Sequence, residues 1–222
     1  MRRTGMARIW RDNGLSIVLF GLFSIFWAGQ ALTGWLEENS ERDEHGAPQE
    51  SLSQYLASGS FLEVTAENWE SEFLQMFGYV LLTVVLFQRG SAESKSPDEP
   101  EEVDREPQAK PDAPGPVKRG GWWLKIYERS LGLAFFVLFL TAFVLHAIGG
   151  ATSYSEEQLQ HGKPAVSTLE YLATSRFWYE SFQNWQSEFL AIGAMVVLSI
   201  FLRQRGSPES KPVDAPHSST GE

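Results

Sequence analysis

The chain has 222 residues, a formal net charge of −10 and no cysteine. The missing cysteines exclude disulfides and thiolate metal sites. Mean hydropathy falls slightly below zero, yet the apolar residues are gathered into blocks and the polar ones into loops and tails, so the average conceals runs long enough for a membrane.

The N-terminus is basic, with Arg2, Arg3, Arg8 and Arg11, and leads into the uncharged run Leu15–Leu36. About 20 apolar residues match the thickness of a bilayer core, which predicts a transmembrane helix over 15–36. A basic start before an apolar run also suits a signal peptide. The rest of the chain decides against that, because the run returns in mid-chain as Leu131–Gly150.

The return is part of a wider duplication at one offset of 116 positions. Asn68-Trp69-Glu70-Ser71-Glu72-Phe73-Leu74 recurs as Asn184-Trp185-Gln186-Ser187-Glu188-Phe189-Leu190. Gln88-Arg89-Gly90-Ser91 recurs as Gln204-Arg205-Gly206-Ser207, and His45-Gly46 as His161-Gly162. A gap-free repeat of this length marks a duplicated unit.

Residues 37–67 are acidic: eight carboxylates, Glu37, Glu38, Glu41, Asp43, Glu44, Glu50, Glu63 and Glu67, face only Arg42. His45 and His161 are the two histidines that match across the copies, each before a glycine and a nearby proline, which predicts a defined turn. Ser51…Gln54 and Ser167…Glu170 have capping-box spacing. Each is expected to open a short amphipathic helix on the outer membrane surface, with its aromatics in the interface.

The second span of each copy is expected at about 69–88 and 185–203. Trp69 and Trp185 would anchor one interface, and Arg89 and Arg203 would snorkel at the other. Asn68 and Asn184 are read as helix caps. Glu72 and Glu188 then fall in the first helical turn, where a carboxylate suits the positive end of the dipole. An ionisable group at membrane depth also suggests a site. His45, His161, Glu72 and Glu188 together are the candidates for a divalent-ion site, with the local structural roles favoured and no metal or cofactor assigned. Gln30 and His146 occupy equivalent positions inside spans, where polar groups commonly join helices. No span carries a clustered Asp/Glu/His set of the kind intramembrane hydrolysis would need, and no nucleotide-binding or hydrolase motif is present.

Residues 96–120 hold six of the prolines among mixed charges and are expected to be a disordered cytoplasmic linker, with 212–222 a disordered tail. The domains are then 1–95, the first repeat, and 121–211, the second. Of the 18 lysines and arginines, only Arg42, Lys163 and Arg176 lie in 37–67 or 151–183. The positive-inside rule puts those two segments outside and both termini in the cytoplasm.

The expected fold is an all-α membrane protein of four transmembrane helices, from two parallel tandem two-helix repeats. The expected role is structural or accessory and non-enzymatic, with outer loops presented to the bilayer or to another membrane or extracytoplasmic protein. No nucleic-acid partner is expected. The alternative is a small transporter or an ion- or metal-sensing protein built on the repeated His and Glu residues. The His-Gly turn, the Asn-Trp-x-Ser-Glu-Phe-Leu element and the Gln-Arg-Gly-Ser close resemble a bacterial family of small multipass membrane proteins known only as a domain of unknown function. The resemblance covers roughly residues 8–95 and 124–211 and implies a bacterial cytoplasmic membrane. Gln186 replaces Glu70 in the second copy, which argues against a role for Glu70.

Overall fold

The computed structural model describes residues 5–221, which are helical with no strand among them. Two compact units divide the chain, residues 1–62 and 63–222.

The first unit is built on α1 (Gly5–Glu44), a helix of 40 residues, and α2 (Leu52–Tyr55). The helix therefore runs well beyond 15–36 in both directions. Its C-terminal end stops where the positive φ of Gly46, 65°, turns the chain back. Asn39 Nδ2 donates to Glu50 O at 3.0 Å and its Oδ1 accepts from Glu50 N at 2.8 Å, which pins the returning loop to the helix. Ser51 then caps α2 in a full capping box with Gln54.

The second unit holds nearly all of α3 (Gly59–Val85), α4 (Gly115–Arg119), α5 (Gly121–Tyr127), α6 (Ser130–Gln160), α7 (Thr168–Leu172) and α8 (Ser175–Phe201). The same devices recur. Gly162 turns the chain at φ 71°, Ser155 Oγ bonds both Val166 N and Val166 O at 3.0 Å, and Ser167 with Glu170 completes a capping box. α8 begins and ends 116 positions after α3, as the sequence offset requires.

Three helices, α1, α6 and α8, are long and apolar enough to cross a membrane. α3 matches α8 at 27 residues, but Glu70, Glu72 and Gln75 dilute its apolar stretch. Residues 96–120, expected to be disordered, contain one 3₁₀ turn (Glu102–Asp104) and α4, with loop otherwise. Residues 212–221 fold back within the second unit. The Lys211 ammonium, 2% exposed, donates to the carbonyls of Gly90, Pro216, His217 and Ser219.

The surface is inverted relative to a water-soluble helical protein. Among the described residues, buried hydrophobic side chains are few and six of the eight are alanine or tyrosine: Tyr55, Phe61, Ala66, Ala142, Ala147, Ala151, Tyr171 and Phe177. Buried polar ones are at least as many, including Glu63, Glu70, Gln75, His146, Ser181 and Lys211. Meanwhile Phe20 (72%), Phe26 (70%) and Leu190 (69%) stand exposed. Apolar exposure of this extent marks a surface for membrane or protein contact.

The tyrosines of the short helices were expected to dip into the interface. They pack inward instead, because a glycine opposite leaves room. A Cβ at Gly150 would lie 2.3 Å from the Tyr171 ring, and one at Gly34 would lie 2.1 Å from the Tyr55 hydroxyl. Gly150→Ala is therefore expected to lower the melting temperature in detergent, at an overpacking cost of about 1–3 kcal/mol. At Gly29 nothing lies within 4 Å of the added Cβ, so Gly29→Ala should be neutral or stabilising through helix propensity. Thermal melts of the two variants check the contrast.

Candidate functional site

Glu63, Glu67 and Glu70 are spaced i, i+4, i+7 on α3, so they share one helix face. α6 sets His146 against them, α7 brings Tyr171, and α8 brings Arg176, Glu180 and Trp185. The small residues Ala147, Gly150 and Ala151 after the histidine let Tyr171 and Phe177 close over α6.

His146 is fully buried and lies flat on the Phe177 ring, with centroids 4.7 Å apart and planes at 29°. Its Nδ1 lies 2.7 Å from Glu70 Oε2. The carboxylate accepts, so Nδ1 carries the proton. The other oxygen of Glu70 accepts from Trp185 Nε1 at 2.9 Å. Glu70, wholly buried, is thus held at both oxygens.

The far nitrogen of His146, Nε2, is buried with no hydrogen-bond partner. It faces Glu180 Oε2 at 3.6 Å and Glu67 Oε2 at 4.0 Å. Those distances are ion-pair reach but too long for hydrogen bonds. Tyr171 lies 2.7 Å from Glu180 Oε2 and 2.9 Å from Glu63 Oε1. A phenol carries one proton and can donate fully to only one of the two. Arg176 donates from Nε to Glu180 Oε1 at 2.9 Å and reaches Glu157 with its Nη1. Four carboxylates, Glu63, Glu67, Glu70 and Glu180, are thus set against one guanidinium and one imidazole, so acidic groups outnumber basic ones in the cluster.

The carboxyls outside the spans show the consequence. Burial pushes Glu63 up, against hydrogen bonds from Ser153 and Tyr171 that pull it down. Burial pushes Glu67 from 4.5 to about 7; His146 opposes this, while the charges of Glu180 and Glu63 add to it. Burial and the adjoining Glu180 and Glu63 also raise Tyr171, keeping it a donor.

The residues singled out from sequence sit elsewhere. His45 and His161 are exposed, and each ring donates from Nδ1 to a carbonyl of its own helix, Glu41 or Glu157, at 2.8 Å. They are helix-end caps. Glu72 is exposed and Glu188 half-buried within reach of its charge, and Gln75 Nε2 donates to Glu188 O at 2.9 Å. Asn68 and Asn184 are not helix caps. They lie within α3 and α8, bonded to Val64 O (2.6 Å) and Glu180 O (3.2 Å). The caps are Ser58 and Thr174, ten residues earlier, which accept from Phe61 N and Phe177 N. Both helices start early because these hydroxyls satisfy their first free N–H groups. Trp69 and Trp185 are half-buried, and the Trp185 indole, expected at the membrane interface, bonds Glu70 instead.

Glu70, discounted because Gln186 replaces it in the repeat, is the best-held carboxylate of the cluster. The expectation that no span carries a clustered Asp/Glu/His set does not extend to the fold, which collects one from α3, α6 and α8. The signals that pointed to it were the i, i+4, i+7 glutamates and a lone histidine inside an apolar run.

Comparison with known families gives one result. The chain belongs to the family described as a domain of unknown function, DUF6766, which matches residues 6–222. No curated protein and no solved structure matches it.

Two outcomes follow. Glu70→Ala leaves His146 buried beside an emptied position and should cost about 3–5 kcal/mol, the scale for removing one partner of a buried pair. Glu72→Gln should cost at most about 1 kcal/mol, that of a helix-end charge. Denaturation monitored by circular dichroism separates them. Glu67 gives a pH dependence. Its folded-state value lies above its ordinary one, so its contribution is complete below about pH 4.5 and is lost as pH rises through about 7. Glu67→Gln should flatten the fall in melting temperature over that window.

Proposed function

We propose that this chain is a non-enzymatic integral membrane protein of structural or accessory role, with α1, α3, α6 and α8 as four spans in two parallel hairpins. It resides in a bacterial cytoplasmic membrane with both termini inside, and it presents residues 37–67 and 151–183 outside. One observation carries the reading. The polar side chains are turned inward and tied to one another, while large apolar ones face outward along three membrane-length helices. In lipid, polar groups must find partners within the protein, so such a network serves to lock helices together.

The roles of the buried groups support the non-enzymatic reading. Both oxygens of Glu70 are engaged, and Tyr171 and Arg176 are taken up by neighbouring carboxylates. These bonds fix the short capped helix α7 against α6 and hold one outer segment in a defined shape. The α3 span is the shortest in apolar residues, and counting from Trp69 to Phe87 gives it membrane length.

A second reading, an ion-responsive or transporting protein, draws support from the excess of carboxylates around His146 and not from His45, His161, Glu72 or Glu188.

Single-cysteine labelling tests the proposal in this cysteine-free chain. A membrane-impermeant maleimide should label Ser40→Cys and Glu156→Cys in intact cells, and Ser218→Cys only after permeabilisation. Labelling of the first two from the cytoplasmic side alone overturns the topology and with it the outer-loop role.

A further inference from the structure

The acid–histidine cluster has the form of a metal site, and this goes beyond the structural reading without depending on it. We infer that Glu63, His146 and Glu180 bind one divalent transition-metal ion of the Zn²⁺ type.

Three observations lead there. One donor atom from each of these residues lies within 4.8 Å of the other two. A tetrahedral ion with bonds of about 2.0–2.1 Å holds its ligand atoms roughly 3.3–3.4 Å apart, and His146 Nε2 and Glu180 Oε2 already stand 3.6 Å apart. Closure onto an ion thus needs a small shift of Glu63 and little of the other two.

The second observation is the orphan nitrogen. A fully buried imidazole nitrogen without a hydrogen bond is costly to keep. His146 Nε2 is one, and it is aimed between carboxylates. With the Nδ1 proton directed at Glu70, Nε2 is the atom left to ligate, and a metal ion would take the place of any proton there between Glu180 and Glu67.

The third is the support behind the ligands. Metal-binding histidines generally donate their other N–H to a carboxylate, which fixes tautomer and ring plane. Glu70 does this for His146 and is itself fixed by Trp185. Tyr171 and Arg176 bond the carboxylates of Glu63 and Glu180 and set their orientation. Phe177 seals one ring face. Three protein ligands leave a fourth position for water or a ligand from solution. The choice of metal follows from the nitrogen: imidazole suits Zn²⁺ and its neighbours, whereas Mg²⁺ and Ca²⁺ take oxygen sets. Two carboxylates and a neutral histidine would also offset the charge of a dication within a buried site.

The test uses the full chain, stripped with chelator and held in detergent or nanodiscs, with Zn²⁺ as the probe and Mg²⁺ and Ca²⁺ as controls. Zn²⁺ should bind at one ion per chain and raise the melting temperature, reversibly by chelator, while Mg²⁺ and Ca²⁺ do neither. X-ray absorption of the loaded protein should show a nitrogen and oxygen shell near 2.0–2.2 Å. His146→Gln and Glu63→Gln should each abolish the stoichiometric site. Glu70→Gln, which removes only the support, should weaken it by about 10- to 100-fold. His161→Ala and His45→Ala should leave it intact. Glu63→Gln keeps a hydrogen-bonding partner for Tyr171 and so reads the site even where His146→Gln fails to fold. Absence of saturable Zn²⁺ binding in the wild type overturns the inference, as does binding that survives Glu63→Gln or is lost with His161→Ala. Failure here leaves the labelling pattern of Ser40→Cys and Glu156→Cys untouched, so the two readings fall separately.

Discussion

The buried hydrogen bond between His146 and Glu70 is the interaction on which the second unit depends. It joins α6 to α3 across a sequence distance of 76 residues, and Trp185 extends it to α8. Both side chains are fully enclosed, so neither has water as an alternative partner. In the membrane setting proposed above, hydrophobic burial would do little to choose between helix pairings, because lipid is as apolar as a neighbouring leucine. A directional polar bond does choose. It sets which face of α3 meets α6, and that face brings Glu63 and Glu67 to the same place. Phe177 can lie flat on the imidazole because α8 starts early, at the Thr174 cap, and the room for Tyr171 comes from Gly150.

The duplication explains the frame but not the site. At the offset of 116, the equivalents of Gly150 and Tyr171 are Gly34 and Tyr55, and both pairs have the same close approach. The loop anchors Asn39 and Ser155 also correspond, as do the caps Ser58 and Thr174. Around the histidine the correspondence stops. The equivalent of His146 is Gln30; of Glu63, Glu67 and Glu70, they are Tyr179, Gln183 and Gln186; of Glu180, Val64. Every charged member of the cluster has an uncharged counterpart. The backbone devices are thus present at both matching segments, while the charged cluster is present at one.

This pattern also shows what was legible in the sequence. Turns, caps and helix ends are local: the Ser51 and Ser167 boxes and the positive-φ glycines 46 and 162 follow from residues a few positions apart. Membrane-length helices are legible for the same reason. The site is non-local, since its donors lie on α3, α6, α7 and α8, and only packing brings them together. His45, His161, Glu72 and Glu188 are the residues shared by the two matching segments, and the two histidines lie at helix ends, Glu72 is exposed and Glu188 half-buried. Repetition is evidence of what both copies need, which is framework. The Asn-Trp element misled through register. A hydroxyl ten residues upstream caps each helix, so the asparagine falls within the helix, and Trp185 faces the Glu70 carboxylate.

Charge asymmetry between repeats has a physical rationale. A buried carboxylate group without compensation is strongly unfavourable, and two such clusters in a small bundle would double the cost. Glutamine in place of glutamate keeps hydrogen-bonding capacity without the charge, so a helix face of Gln183 and Gln186 can be satisfied by neutral partners. The face of Glu67 and Glu70 cannot. Its carboxylates require protons, Arg176, His146 or a further cation, and the guanidinium is already divided between Glu180 and Glu157. A chain selected for helix locking alone could use the neutral solution twice. This chain has the neutral solution at one position and the charged one at the other, so the charged face must be balanced by partners that the neutral face does not need.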